Sequence, residues 1–360
     1  MAWLAVRELR WRLLREAMFY ESIGDSVVRC RLCPRECVIA VGKRGFCGVR
    51  ENRDGVLYAL NYGLVTAFAV DPVEKKPFYH WYPGSPILSI STMGCNFKCP
   101  WCQNHDISQS TPEEVYSRFV EPHEVVDYAV SRRIPLIAFT YNEPIIWYEY
   151  AYEVARLAKR EGLRCALVTN GYINLEPLRE LAPYIDAANV DIKAFSEEAY
   201  RRYPMAELQR VLDSVKEMKR RGWHVETTYL VVPGVNDSAD ELRAYAEWHV
   251  SELGEDTPFH VSRFFPMFKF THVPPTPVEK LEEAWRIARD AGVRYVYVGN
   301  LRGHEGEHTY CPGCGRVVIK RMGFEITEWH LDGNNCCEFC GTKIAVVGRR
   351  YRGGSFALWL

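Results

Sequence analysis

The chain has 360 residues, 48% of them hydrophobic and 25% charged, with 45 Lys and Arg against 46 Asp and Glu. A net charge of −1 gives no global basic field for nucleic acid, and no apolar run approaches the ~20 residues that cross a bilayer, so no membrane role is expected. Thirteen cysteines are the outlier, and most fall into clusters that suit metal ligation better than disulfides.

Residues Met1 to Tyr20 set Trp3, Leu4, Leu9, Leu13 and Leu14 among Arg7, Arg10, Arg12 and Arg15. That pattern predicts an amphipathic helix docked on the protein. The arginines break up any signal-peptide core, so a cytoplasmic location is expected. Next come Cys30, Cys33, Cys37 and Cys47, spaced C-x2-C-x3-C-x9-C. Four thiolates would close a zinc site or hold an auxiliary iron–sulfur cluster. The spacing is not that of paired zinc-ribbon knuckles; both metals stay open, with zinc preferred. Short strand-like runs follow at 55–60 and 64–70. The Pro-rich stretch 71–86 predicts a linker into the core, and its Lys75–His80 segment is a surface loop that could face a substrate.

From 87 to 303, apolar runs at 87–91, 136–140, 164–169, 186–192, 224–232, 258–264 and 294–299 alternate with helical patterns. The helices are expected over Pro122–Ser131, Glu149–Glu161, Leu175–Tyr184, Glu207–Arg221, Ser238–Leu253 and Pro277–Ala291. Such alternation predicts an α/β fold with a parallel sheet, and six or seven units suggest an open or partial (βα) barrel of the TIM type. Function in such folds collects at the C-terminal ends of the strands.

The first strand end carries Cys95, Cys99 and Cys102, spaced C-x3-C-x2-C. Three sulfurs do not complete a structural zinc, and a [4Fe–4S] cluster normally takes four. Three would leave one iron open to another ligand. On residues alone, a small redox loop or part of a zinc site with a distant fourth ligand is the alternative. Later strand ends offer Asn142 and Glu143 before Pro144, Asn170 before Gly171, and Asp191 with Lys193 on one side of a strand. They also offer Asn236 or Asp237 as a helix cap, and His260 and Arg263. A lone histidine on a strand is more often a satisfied core residue than a ligand.

The motif C-x3-C-x-Φ-C, with Trp101 as its aromatic, resembles the signature of radical S-adenosylmethionine (SAM) enzymes. In those enzymes a Gly-Gly-Glu-like motif receives the SAM amino group. Glu143 matches its acid, whereas Tyr141 and Asn142 replace the glycines, which makes Asn142 a candidate contact itself. Asn170 looks like a SAM-contacting residue. Asp191 and Lys193 resemble the Asp-x-Lys of pyruvate formate-lyase activating enzymes, which lies near the SAM ribose and carboxylate. His260 is carried as a SAM or substrate contact, and the backbone at Trp101 would flank the adenine.

The tail carries Cys311-Pro-Gly-Cys314-Gly and Cys337-Glu-Phe-Cys340-Gly, two knuckles separated by 22 residues. They predict a zinc ribbon, with a rubredoxin-like iron site as rival. The expected units are 1–84, a helix and four-cysteine module; 85–303, the radical SAM partial barrel; and 304–360, the ribbon.

Together with the Asp71–Pro77 and Tyr141–Pro144 segments, the two flanking cysteine sites resemble more narrowly the radical SAM member of the AmmeMemoRadiSam system. The resemblance implies a [4Fe–4S] cluster on Cys95, Cys99 and Cys102. It also implies reductive cleavage of SAM to a 5′-deoxyadenosyl radical that abstracts hydrogen from a substrate. Implied partners are an external one-electron reductant of ferredoxin or flavodoxin type and Memo-like and AMMECR-type proteins. The substrate is expected to be a partner protein. The alternatives are RNA or a small metabolite, with the ribbon as docking module, and a metal-stapled scaffold without enzymatic activity.

Overall fold

The computed structural model describes residues 14–351. Its centre is an eight-stranded sheet. The strands are β1 (Ala67–Pro72), β2 (Pro86–Ser91), β3 (Leu136–Phe139), β4 (Arg164–Thr169), β5 (Ala187–Asp191), β6 (His224–Val231), β7 (Phe259–Arg263) and β8 (Val296–Gly299). Strands β2 to β8 are parallel and lie in sequence order; β1 runs antiparallel on the outer edge of β2. Every residue of β2 and β3 is buried, as expected for strands covered on both faces. Each apolar run of the sequence becomes a strand within two residues of its expected ends.

Helices join successive strands and cover the outer face. The helix Leu208–Arg220 buries Val211, Leu212, Val215 and Met218, one apolar stripe at helical spacing. Pro122–Ser131 starts on a capping box between Glu121 and Glu124, with Pro at its first turn. The Ser238 side chain caps Ala239–Leu253, so the cap is Ser238 and not Asn236 or Asp237. Because β2 to β8 run the same way, their C-terminal ends form one edge.

Two expectations change. Residues 1–13 of the expected N-terminal helix lie outside the described residues, but Arg15–Glu16 and Tyr20–Ser22 are strands. Arg15–Glu16 pairs with Val56–Ala59, which pairs in turn with Arg50–Arg53; tertiary pairing overrides the local helical pattern. The linker also does more than connect. Residues 67–72 pair with β2 along their whole length, and Pro72 is tolerated because it ends an edge strand.

The C-terminal residues form an antiparallel sheet of Thr309–Tyr310, Val317–Met322 and Glu325–Trp329. Val318, Ile319, Leu331, Ile344 and Val346 pack there with Tyr79, Tyr295 and Tyr297. Buried Arg321 ties the two parts together, donating to Thr309 Oγ1 at 2.8 Å and to the Tyr79 carbonyl at 2.9 Å. No described helix is long and apolar enough to cross a membrane.

Candidate metal and cofactor site

The cysteine loop leaves β2 through Gly94, at φ +88°. A Cβ there would lie 2.8 Å from the Cys47 carbonyl oxygen and 2.8 Å from Val49 Cγ1. Only glycine allows both the conformation and the contact. Asn142 fixes the turn: its Oδ1 accepts from Thr92 N at 3.1 Å and its Nδ2 donates to the Gly94 carbonyl at 3.0 Å. Asn142 is thus a positioning residue with its amide already engaged.

Four other expected residues converge on this loop. Asn170 Nδ2 lies 3.9 Å from Cys95 Sγ and donates to Asn96 Oδ1 at 2.9 Å. Buried Glu143 accepts from Thr169 Oγ1 at 2.6 Å, Asn170 N at 2.7 Å and Ile145 N at 3.1 Å. Burial raises its pKa to about 7, against the lowering effect of these hydrogen bonds and of the Lys193 charge. Lys193 pairs with Asp191 at 3.1 Å. Burial would lower the Lys193 pKa, but Asp191 and the Cys99 sulfur together hold it above its ordinary value. A cation therefore faces the thiols while Asp191 stays partly open to solvent.

Trp101 is buried against Tyr203 and Phe270, with ring centroids 5.5 and 5.4 Å away, and its indole N–H has no hydrogen-bond partner. Phe270 belongs to a segment after β7 that docks on the loop through Lys269 N, which donates to the Pro100 carbonyl at 2.9 Å.

His260 is not brought to this edge. Its Nε2 bonds Glu226 Oε2 at 2.6 Å, and Glu226 also binds His224 at 2.9 Å and the backbone N–H groups of Tyr79 and His80 at 3.0 and 2.8 Å. Thr228 Oγ1 donates to Asn189 Oδ1. Alternation along β5 and β6 puts Asp191 above that pair and Glu226 with His260 below it. The lower layer is sealed by residues 78–81, so His260 is a satisfied core residue. Arg263 also turns away, donating to the Thr276 carbonyl at 2.8 Å.

Sequence reasoning missed several contributors. Asn96 is fully buried and links Asn170 to the Tyr172 carbonyl. Asn236 donates to the Lys193 carbonyl at 2.8 Å. Tyr141, at φ +67°, donates to Asp71, which pairs with buried Lys76 at 2.7 Å. This joins the Asp71–Pro77 and Tyr141–Pro144 motifs in space. The only available signal was that two polar motifs flanked buried strands. A separate cleft lies between the N-terminal strand ends at Arg164, His224 and Pro258 and the tail at Ala345 and Val347.

The cysteines differ in spacing. Cys311, Cys314, Cys337 and Cys340 have all four sulfurs within 4.8 Å, and two pairs stand 3.5 and 3.8 Å apart. A tetrahedron with Zn–S bonds of ~2.3 Å has edges of about 3.8 Å. Among the described residues no other group of His, Cys, Asp or Glu is gathered so closely. The sulfurs of Cys95, Cys99 and Cys102 do not all lie within 4.8 Å of one another. Burial pushes the Cys99 thiol up to about 12 despite nearby Lys193.

Residues 89–246 match the sequence model of the Radical SAM superfamily. The chain belongs to this superfamily. It is 46% identical over 335 residues to the uncharacterized protein MJ0808 of Methanocaldococcus jannaschii, covering 93% of this chain and 100% of that one. It is 24% identical over 163 residues to pyruvate formate-lyase 1-activating enzyme of Escherichia coli, covering 43% of this chain and 65% of the enzyme. It is 27% identical over 172 residues to GTP 3′,8-cyclase of Nautilia profundicola, covering 47% of this chain and 52% of the cyclase. The match thus spans all of the first relative but about half to two thirds of the other two. The protein is an enzyme of the radical SAM class, and membership implies a [4Fe–4S] cluster and SAM. The three thiols at one strand end, the cation beside them and the unpartnered Trp101 N–H fit those groups.

Proposed function

We propose that this enzyme uses SAM at the edge formed by Cys95, Cys99 and Cys102 to take hydrogen from a partner protein, as an activase. The convergence of Glu143, Asn170, Asp191 and Lys193 on the three-cysteine loop carries the proposal. The cysteines would hold the cluster. When bound, cluster and SAM supply reductive cleavage to a 5′-deoxyadenosyl radical. Glu143 receives the ammonium of SAM, Asn170 orients its methionine part, and Asp191 and Lys193 bind the ribose and the carboxylate. Trp101 packs beside the adenine, and the 264–276 segment excludes water. The open sheet serves as a partial barrel.

The protein-substrate reading draws on the pyruvate formate-lyase 1-activating enzyme among the relatives. It goes with an external one-electron reductant of ferredoxin or flavodoxin type, a cytoplasmic location and Memo-like and AMMECR-type partners. GTP 3′,8-cyclase among the relatives favours a second reading, a small metabolite as substrate. The units 1–84, 85–303 and 304–360 are retained, with β1 lent to the central sheet. The last is a zinc ribbon, supported by sulfur pairs 3.5 and 3.8 Å apart.

The test is anaerobic incubation of cluster-loaded protein with SAM and dithionite. 5′-Deoxyadenosine is expected from the wild type and none from Cys99→Ala; its absence from fully loaded wild type overturns the reading. Deuterium carried into 5′-deoxyadenosine from labelled protein supports the activase, and label from metabolites alone replaces it.

A further inference from the structure

Cys30, Cys33, Cys37 and Cys47 line one cavity, and the Cys47 carbonyl oxygen closely approaches Gly94, the residue before Cys95. Cys30 ends the strand Val28–Cys30, Cys37 precedes Val38–Ile39, and Cys47 lies in the turn before Arg50–Arg53. All four therefore border the same space. Yet no three of their sulfurs lie within 4.8 Å of one another, unlike those of the C-terminal knuckles. The space between them measures ≈ 20 Å³, enough to admit a water. Sulfurs closed round a single zinc ion touch one another and leave no such space.

Two further features mark what the space accepts. Its remaining walls are mainly apolar, with Leu32, Ile39 and Ile146. Arg50 also lines it and is 2% exposed. One terminal nitrogen of Arg50 binds both Glu149 carboxylate oxygens, at 2.7 and 2.8 Å, but its Nε–H has no partner. An unsatisfied buried donor is costly, and sulfide or thiolate sulfur in the cavity would satisfy it.

We propose that these four cysteines hold an iron–sulfur cluster rather than a zinc ion, in electron-transfer contact with the Cys95–Cys102 loop. The contact is short in the structure. A Cβ on Gly94 would fall 2.8 Å from the carbonyl oxygen of Cys47, and Gly94 is bonded to Cys95. Arg35, another wall residue, donates to the carbonyl of Asn96 at 2.6 Å. The redox step transfers one electron. A ferredoxin- or flavodoxin-class donor is oxidised by one electron as the N-terminal cluster is reduced. That electron then passes to the centre at the loop, which restores the oxidised N-terminal cluster. No covalent bond changes and no proton is required. The transfer rests on the reading of the loop under Proposed function; the assignment of the cluster does not.

The experiment uses full-length protein made in medium replete in both iron and zinc and purified anaerobically, without reconstitution. In the Cys95→Ser/Cys99→Ser/Cys102→Ser variant, the N-terminal site should retain roughly two to four irons with matching acid-labile sulfide, beside one zinc. Two zinc ions with no sulfide would overturn the assignment. Should that variant fail to fold, Mössbauer spectra of the wild type decide: two cluster populations support the proposal, and one overturns it. Equal iron in variant and wild type would instead show that the loop reading had failed alone. For the contact, the reduced wild type should give an electron paramagnetic resonance spectrum broadened by spin coupling, lost when either cysteine set is replaced. A simple sum of two independent spectra would overturn the contact.

Discussion

Replacing Glu226 by Gln tests the division between the layer that supports the sheet and the edge proposed to carry the chemistry. The carboxylate is fully buried and receives four hydrogen bonds, from His224, His260 and the backbone of Tyr79 and His80. Gln keeps one acceptor oxygen and turns an NH2 group towards these donors. Breaking a buried ionic network from one side costs about 3–5 kcal/mol, and we expect a loss of that order in urea unfolding at pH 7. Burial would raise the Glu226 pKa, but the two histidines outweigh it and hold the pKa well below its ordinary 4.5. The stabilisation is therefore fully present above pH 4.5 and is lost as the pH falls towards the folded value. The gap between wild type and E226Q should narrow below pH 4.5. Amide hydrogen exchange at Tyr79 and His80 should quicken, while SAM affinity of the cluster-loaded protein stays within twofold. Unchanged exchange together with a tenfold loss of SAM affinity would refute the placement of Glu226 and His260 in the supporting layer.

Asp191→Ala should weaken SAM binding to cluster-loaded protein about tenfold to a hundredfold, the loss of one charge-assisted hydrogen bond of ~1.5–3 kcal/mol; unchanged equilibrium binding would remove Asp191 from the site. Gly94→Ala forces a Cβ against the Cys47 carbonyl at a positive φ. It should cost at least about 1–2 kcal/mol in urea unfolding and lower the iron content, and full iron loading would show that the close approach is dispensable. Cys314→Ser should release one zinc, leave iron unchanged and expose residues 309–346 to protease. Retained zinc in the purified variant would count against the tetrahedral four-sulfur site.

The strands of the core and most of its helices were legible because their signals are local. Runs such as Ile87–Ser91 and Leu136–Phe139 are buried on both faces, so they appear as predominantly apolar stretches. Leu208–Arg220 shows its buried stripe at helical spacing. The cysteine sets were legible for the same reason: their cysteines recur at short spacings within each pair or cluster. His260 was not. Its alternation with Ser262 places it on the inner face, but not at a height; that came from its bond to Glu226, 34 residues away. Nor could sequence show that Asp71 and Lys76 meet Tyr141, or that Arg15–Glu16 would leave a helical pattern to pair with Val56–Ala59.

The sequence by itself determined the α/β alternation, the cysteine spacings and the polar residues at the strand ends, all of which follow from short-range periodicity and chain connectivity. Tertiary structure alone decided which strand-end residues share a layer, which of them are already engaged, and how far apart the sulfurs stand. Those depend on sheet register and on packing between segments distant in the chain, and neither leaves a local pattern. Hence the N-terminal and C-terminal cysteine sets, each of four residues, differ in a property no spacing records. One closes to the edge of a zinc tetrahedron, and the other stays open around a buried arginine donor.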